Sequence, residues 1–238
     1  MIEITHLTKK YAGRAVVDDV SFTCRPGTVT GFLGPNGSGK STTLRMLCGL
    51  TPLSAGSATV LGGAYRDLPN PARRVGVLLD ASAQHGGRTG REALTLACLT
   101  VGVPRGRVAE LFAQVGLDER AARKRVRAYS LGMRQRLGLA VALLGEPEVL
   151  ILDEPANGLD PEGIAWMRKL LRGFADRGGT VLLSSHLLGE VQAVADQVVL
   201  IHHGRVVQQG QTADLVAGGR SLEDLFLTHT ASGTETTP

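Results

Sequence analysis

The chain has 238 residues, of which 43% are hydrophobic and 20% are charged. This length allows a sizeable buried core, and the composition excludes a disordered or fibrous protein. The formal net charge of +4 includes one basic cluster, at residues 120–127. Because such a cluster is typical of a solvated helical face or loop, we expect no nucleic-acid partner.

Cysteine usage and hydropathy restrict the class of protein further. Cys24, Cys48 and Cys98 are far apart and form no CxxC pair, so neither a zinc site nor a disulfide framework is expected. The N-terminal segment lacks the apolar core of a signal peptide, and no stretch approaches the ~18 apolar residues that a membrane helix needs. We therefore expect a soluble chain that acts on a membrane only by docking onto a separate membrane protein.

The first third of the chain predicts strands and one helix. A helix is expected from Lys40, directly after a glycine-rich segment. Runs rich in β-branched and aromatic residues, separated by turn residues, predict strands at residues 2–7, 16–22, 29–33, 58–61 and 75–79.

The remainder of the chain begins with a helical section and then alternates strand and helix. Residues 107–115 carry apolar side chains at the spacing of one helical face. After residue 145, this alternation predicts a mainly parallel sheet. The expected elements are strands at 149–152 and 180–184, helices at 161–176 and 187–195, two strands within 198–210 that meet at a turn around His203-Gly204, and a closing helix at 221–229.

Two features near the C-terminus predict no chemistry. His202 and His203 are adjacent, so on a strand they would point to opposite faces, and we interpret them as structural residues and not as metal ligands. The segment from Ser232 onwards is rich in Thr, Ser and Gly and is expected to be disordered.

The strongest motif is GPNGSGKS at residues 34–41, which matches GxxxxGK[ST] between a predicted strand and a predicted helix. Its glycines let backbone N–H groups and the helix N-terminus point at phosphates, while Lys40 adds a cation and Ser41 a hydroxyl for Mg²⁺. A simple Gly-rich turn is the alternative. The predicted nucleotide-binding residues of this loop are Gly34, Pro35, Asn36, Gly37, Ser38, Gly39, Lys40, Ser41 and Thr42.

Polar residues follow two predicted parallel strands. In VLILDEP, at residues 149–155, Asp153 could hold Mg²⁺ through its hydration shell, and Glu154 could accept a proton from, or orient, the water that attacks the γ-phosphate. An ordinary strand-end turn is the alternative. His186 follows the next strand, so it would share a sheet edge with Glu154, and we predict that it contacts the γ-phosphate. A lone histidine is more often structural.

These residues resemble the nucleotide-binding domains of the ATP-binding-cassette (ABC) superfamily over nearly the whole chain. The most diagnostic element is YSLGMRQRLGLA at residues 129–140, which is similar to the family signature LSGGQ followed by RQR and an apolar helix. The resemblance implies an α/β P-loop NTPase core with a mainly parallel sheet, an N-terminal antiparallel β subdomain and a helical subdomain at about residues 85–145. We expect one ATP-binding domain at 1–230 and a tail at 231–238.

The resemblance also implies a site shared between two copies of the chain. In the family, the residues matching Ser130 and Gly132 contact the γ-phosphate held by the opposite subunit of a head-to-tail pair. Without the resemblance, Ser130 would be interpreted as a plain helix cap. Residues 157–160 match the D-loop, which crosses the dimer interface. Tyr11 matches the aromatic residue that stacks on adenine, although a lone tyrosine near a strand more often serves packing.

Two departures from the family pattern concern the site. The signature has Leu131 and Met133 where Gly and Gln are usual. This variant resembles the signature of bacterial exporter subunits of the drug-resistance and antibiotic-export type. Asp80 stands where the family often has a glutamine that touches Mg²⁺ and the membrane subunit. Asp80 could bind Mg²⁺ itself or leave that contact to Gln84.

The function implied by the resemblance is ATP hydrolysis, with Mg²⁺, that powers a membrane exporter of a drug, antibiotic or lipid-like substrate. The resemblance implies that ATP drives this work by closing the head-to-tail pair. The expected partners are a second copy or close relative of the chain and an integral membrane permease on a separate chain. The expected location is the cytoplasmic face of the cell membrane. An importer subunit is the nearest alternative, and a soluble ABC protein of translation or DNA repair or a non-catalytic regulatory subunit are further alternatives.

Overall fold

The computed structural model describes residues 1–231. The tail predicted from Ser232 therefore lies outside the described residues. The described strands are β1 Ile2–Tyr11, β2 Arg14–Cys24, β3 Val29–Leu33, β4 Ala55–Val60, β5 Val75–Leu78, β6 Val149–Asp153, β7 Thr180–Ser185, β8 Gln197–His202 and β9 Arg205–Gln211.

The strands form two sheets. A six-stranded sheet has the order β5-β6-β7-β3-β8-β9, and its pairs are parallel except for β8 with β9. A three-stranded antiparallel sheet has the order β2-β1-β4. The predicted mainly parallel core and N-terminal antiparallel subdomain are therefore confirmed.

The central strands are buried on both faces, as their nearly continuous apolar sequences require. All five residues of β3 and all six of β7 are buried. Alternate side chains of β6 enter two different cores: Leu150 packs with the helices that follow β5, and Ile151 packs with α1 Lys40–Leu47 and the antiparallel sheet. Because β6, β7 and β3 are consecutive neighbours, their carboxyl ends meet at one edge, where ligands bind in sheets of this type.

The N-terminal strand β1 extends four residues beyond its predicted end. The prediction stopped at residue 7 because polar residues follow, but pairing with β2 continues to Tyr11 opposite Arg14. Lys9 lies within this extension, is buried, and its ammonium donates a hydrogen bond to the carbonyl of Pro52 (2.7 Å). Backbone pairing and the burial of the lysine stem extend the strand, and neither effect is visible in the hydropathy pattern.

The described helices are, besides α1, α2 Pro71–Arg74, α3 Gly90–Val101, α4 Arg107–Gln114, α5 Glu119–Arg123, α6 Leu131–Ala142, α7 Pro161–Asp176, α8 Leu188–Gln192, α9 Thr212–Leu215 and α10 Leu222–Ala231. Helix α7 has its predicted bounds because Asp160 caps it, accepting a hydrogen bond from the Gly163 N–H (2.8 Å), and proline occupies its first turn. Helices α3 to α6 form the helical part between β5 and β6. Within residues 1–231, no helix is both long and apolar enough to cross a membrane.

Further local predictions also differ from the structure. Strand β4 ends at Val60, because Leu61 has a φ of 54° and leaves the strand. Helix α8 is shorter than the predicted 187–195. The prediction that His202 and His203 point to opposite faces is wrong: His203 has a φ of 47° and lies in the turn, so the two ring centroids are only 4.0 Å apart.

Candidate phosphate-binding site

The glycine-rich loop at residues 34–41 leaves β3 and enters α1. Two of its glycines are required by close backbone contacts. A Cβ on Gly34 would lie 2.2 Å from the carbonyl oxygen of Ile201, and a Cβ on Gly39 would lie 2.8 Å from that of Val16. Gly39 also has a φ of 108°, which residues with side chains rarely adopt. The path of this loop past its neighbours therefore depends on both glycines.

Lys40 begins α1 and is only 5% exposed. Its ammonium donates hydrogen bonds to the carbonyl oxygens of Gly34 (2.6 Å) and Pro35 (3.1 Å), and it lies 3.7 Å from Oε1 of Glu154. Burial lowers the pKa of Lys40, while the carboxylates of Glu154 and Asp153 act in the opposite direction. The buried ammonium of Lys40 is thus held in the phosphate loop by two main-chain carbonyls.

A cavity of about 240 Å³ lies beside this loop. Pockets that enclose whole ligands typically measure about 300–1,000 Å³, so this one suits the phosphate part of a nucleotide. In the same loop, Ser38 Oγ is buried and has no hydrogen-bond partner among the described residues. The cavity is lined by Val16, Asn36, Gly37, Gly39, Lys40, Ser41, Thr42 and Glu154. Most of the predicted loop residues therefore face one small polar cavity.

Asp153 is the last residue of β6, and its strand partner is Ser184 of β7. The Ser184 hydroxyl donates a hydrogen bond to Oδ1 of Asp153. This pairing fixes the carboxylate at the sheet edge. Asp153 remains half-buried, so it can accept further hydrogen bonds from a hydrated ion.

Glu154 follows with a φ of 49°, an uncommon conformation for a residue other than glycine. Its carboxylate connects two predicted site residues. Oε2 lies 2.8 Å from Nδ1 of His186, and Oε1 faces Lys40 without a hydrogen bond. The structure therefore brings the predicted carboxylate, histidine and lysine together at one edge of the sheet.

Ser130 caps α6, where its hydroxyl accepts a hydrogen bond from the Met133 N–H (3.2 Å). Gly132 lies against the loop that follows Glu154, because a Cβ there would be 2.8 Å from the Gly158 carbonyl oxygen. Neither Ser130 nor Gly132 lines the cavity beside the glycine-rich loop. Within one chain, the signature residues therefore take no part in lining the phosphate cavity.

The family model described as ABC transporter matches residues 17–157 of this chain, which is more than half of its length. The chain belongs to the ABC transporter family. The ABC transporter ATP-binding protein YhcH of Bacillus subtilis (strain 168) is 41% identical over 87% of this chain and 68% of that protein. The bacitracin transport ATP-binding protein BcrA of Bacillus licheniformis is 39% identical over 88% and 69%, respectively. The lantibiotic transport ATP-binding protein SrtF of Streptococcus pyogenes is 34% identical over 95% and 96%.

Solved structures agree with this membership. A structure of the ATP-binding subunit of an ABC transporter matches with a TM-score of 0.87 at 29% identity, covering 97% of this chain and 99% of that chain. A dimeric bacterial ABC transporter cassette, 22% identical, matches with a TM-score of 0.80 over 89% and 99%, which supports the fold. The chain is therefore an ABC ATPase, an enzyme whose ATP hydrolysis is coupled to transport.

Tyr11, predicted to stack on adenine in this ABC cassette, is the last residue of β1. Its side chain is 51% exposed, and the Lys9 ammonium lies 4.8 Å from its ring centroid. The following residues turn the chain with φ values of 47° at Ala12 and 82° at Gly13. The ring is accessible to a ligand, although it does not line the phosphate cavity.

Asp80, which was predicted as a metal ligand, does not line the phosphate cavity. Its Oδ1 accepts hydrogen bonds from the Ser82 N–H (2.7 Å) and hydroxyl (2.6 Å). The bond from the Ser82 hydroxyl, and to a lesser degree the bond from the Ser82 N–H, lowers the pKa of Asp80. The carboxylate lines a separate cavity of about 370 Å³, together with Arg45 and Gln84. A local signal for this pairing existed, because aspartate side chains commonly accept a hydrogen bond from the N–H two residues further on.

Two residues that support the site were not predicted as site residues. Ser184 holds the carboxylate of Asp153, and a signal for it existed, because a polar residue at the end of one parallel strand faces the end of its neighbour. Gln135 of α6 donates a hydrogen bond to the carbonyl of Glu154 (3.2 Å). No local signal identifies Gln135, since the approach of α6 to this carbonyl depends on the packing of distant segments.

Proposed function

We propose that this chain is the ATP-hydrolysing subunit of a membrane exporter and works as a head-to-tail pair of ATP-binding domains. The observation that carries the proposal is the carboxylate of Glu154, held between His186 and Lys40 beside the cavity of the phosphate loop. We include residues 1–230 in one ATP-binding domain, with a helical subdomain at about 85–145. Helix α10 ends at Ala231, so the predicted tail at 231–238 begins with a helical residue.

The proposed roles follow from the charges at the site. Lys40 and the N–H groups of the loop bind the phosphates of ATP, and the lowered pKa of Lys40 reflects the burial that a bound polyanion would compensate. Glu154 orients the attacking water or accepts its proton. His186, hydrogen-bonded to Glu154, contacts the γ-phosphate. Tyr11 provides an exposed ring for adenine.

The site also suits Mg²⁺. Ser41 would supply a hydroxyl and Asp153 a carboxylate acting through the hydration shell, and the bound ion would neutralise phosphate charge. Within residues 1–231, no cluster of three His, Cys, Asp or Glu residues could hold a metal. That agrees with Mg²⁺ sites of this kind, which take one or two protein oxygens together with substrate phosphates. Asp80 lines a different cavity, and its Oδ1 is bonded to Ser82, so only its Oδ2 is left for this ion.

In this proposal, a second copy of the chain supplies signature residues to each phosphate cavity. Ser130 and Gly132 do not line the cavity of their own chain, and Ser130 lies at the N-terminus of the 12-residue helix α6, which favours an anion. A head-to-tail pair would present them to the partner's γ-phosphate. Binding of ATP would then close the pair because the closed state offers more phosphate contacts.

The exporter assignment rests on similarity. The relatives BcrA and SrtF are named for bacitracin and lantibiotic transport, respectively. We propose a related cargo, an integral membrane permease on a separate chain, and a location at the cytoplasmic face of the membrane. Import remains the nearest alternative.

Co-purification tests this proposal. The tagged full chain is recovered with its native membrane fraction, and the complex is assayed for ATP hydrolysis beside Glu154→Gln and a matched control, Glu148→Gln. Glu148 precedes β6 at the opposite edge of the sheet, where it pairs with Arg74 (2.8 Å). We expect a retained polytopic membrane protein and hydrolysis lost only in Glu154→Gln. Recovery of ribosomes or nucleic acid, with no membrane protein, would overturn the proposal.

Transport direction is tested in vesicles that contain the complex. Labelled bacitracin should accumulate, with ATP, in inside-out vesicles whose ATP-binding subunits face the medium. Uptake restricted to right-side-out vesicles loaded with ATP would instead favour import.

A further inference from the structure

Gln135 lies in the second turn of α6 and is only 5% exposed. Its side-chain amide donates a hydrogen bond to the carbonyl oxygen of Glu154 (3.2 Å). The same carbonyl accepts a second hydrogen bond from the Asn157 N–H (3.1 Å). The signature helix is thus bonded directly to the main chain of the carboxylate residue in its own chain.

The backbone of Glu154 is held from both sides. Its φ of 49° is sparsely populated by residues with side chains, and such conformations persist where surrounding contacts determine them. On the N–H side, the carbonyl oxygen and the hydroxyl of Ser184 accept bonds at 3.1 and 3.2 Å. On the carbonyl side, Gln135 is the side chain that completes the support.

This support sets the direction of the Glu154 carboxylate. Oε2 meets His186 at 2.8 Å, and Oε1 lies 3.7 Å from Lys40. A rotation of the peptide unit after Glu154 would displace the side chain from both groups. Misplacement by about 1 Å can slow a positioned reaction roughly a hundredfold.

The bonding of Gln135 argues against a purely structural role. Its Oε1 is buried and has no hydrogen-bond partner among the described residues. A buried amide with one unsatisfied atom stabilises a core poorly, and an apolar side chain of similar size would avoid that penalty. The bond that the amide does make reaches one carbonyl, that of Glu154.

We infer that Gln135 is a positioning residue for hydrolysis, which holds the main chain of Glu154 so that its carboxylate faces the phosphate cavity. The inference rests on the proposed role of Glu154.

The test compares variants in the full chain with its co-purified membrane partner. Gln135→Met keeps the approximate volume and removes the donor. Gln135→Glu restores a donor only when its carboxyl is protonated, and burial favours that neutral form as the pH falls. Gln192→Met is the matched control, because the Gln192 side chain also bonds a backbone group, the Leu222 N–H (3.0 Å), and within residues 1–231 it forms no hydrogen bond with Glu154, His186 or Lys40. For each variant, kcat and KM for ATP are measured from pH 6 to 8.5, together with the urea midpoint.

We expect Gln135→Met to lower kcat at least about tenfold with KM within about twofold, while Gln192→Met leaves kcat within about twofold. The kcat of Gln135→Glu relative to wild type should rise as the pH falls, whereas that of Gln135→Met should not. A kcat of Gln135→Met no lower than that of Gln192→Met would overturn the inference, as would a pH-independent deficit in Gln135→Glu. Glu154→Gln separates the two proposals. If Glu154→Gln retains hydrolysis, the proposed function fails. If Glu154→Gln loses hydrolysis while Gln135→Met keeps it, only this inference fails.

Discussion

Gly158, four residues after Glu154, packs closely against Leu131, the first residue of the signature helix α6. A Cβ on Gly158 would lie 2.4 Å from both Cγ and Cδ2 of Leu131, much closer than atoms in contact can approach. Gly158 also has a φ of 74°. Gly158→Ala therefore introduces two separate penalties, one from backbone conformation and one from the clash.

The two penalties can be estimated separately. A left-handed φ costs a residue with a Cβ about 1–2 kcal/mol. Overpacking costs typically about 1–3 kcal/mol, and the low end applies here because Leu131 is 50% exposed and can move outwards. We expect a total of about 2–3 kcal/mol. Gly102→Ala is the matched control: its φ is 77° and no atom lies within 4 Å of the added Cβ, so only the backbone penalty applies.

Urea unfolding of the full chain, followed through the fluorescence of the single Trp166, measures these free energies. The double variant Leu131→Gly/Gly158→Ala should recover about 1 kcal/mol relative to the sum of the single variants, because the clash is gone while the backbone strain remains. The close packing of Gly158 against Leu131 is refuted if Gly158→Ala lowers the free energy of unfolding no more than Gly102→Ala does. It is also refuted if adding Leu131→Gly restores none of that free energy.

Three further predictions follow from the same structure. Lys40→Met should abolish nucleotide binding in an equilibrium titration. Because burial lowers the pKa of Lys40, the unfolded chain binds more protons, so the stability of wild type relative to Lys40→Met should rise as the pH increases through the lowered pKa; a fall would contradict this sign. Burial raises the pKa of Cys24 and of Cys48 to about 12 and that of Cys98 above its ordinary value, so iodoacetamide at pH 8 should label none of them in the native chain and all three in urea. Asp80→Asn should change the Mg²⁺ concentration for half-maximal hydrolysis by less than about twofold, because Asp80 lines a separate cavity and its Oδ1 is already bonded to Ser82; a tenfold increase would assign Asp80 to the metal site.

The sequence by itself determined the features whose causes are local. The glycines and Lys40 of the phosphate loop require a strand before them and a helix after them, and both are present. The apolar run before Asp153 indicated a buried parallel strand, and that is β6. Helix α7 has its predicted bounds because Asp160 and the following proline define its start within a few residues of sequence. In each case the residues that decide the structure are neighbours along the chain.

Only the tertiary structure decided which distant groups meet. The polar end of β1 is a strand because β2 pairs with it. The pKa of Lys40 depends on how deeply the fold buries it. The bond from Gln135 to Glu154 joins residues that are 19 positions apart. These contacts depend on strand register and helix packing, which arise from the summed burial of many segments, and no local pattern contains that information.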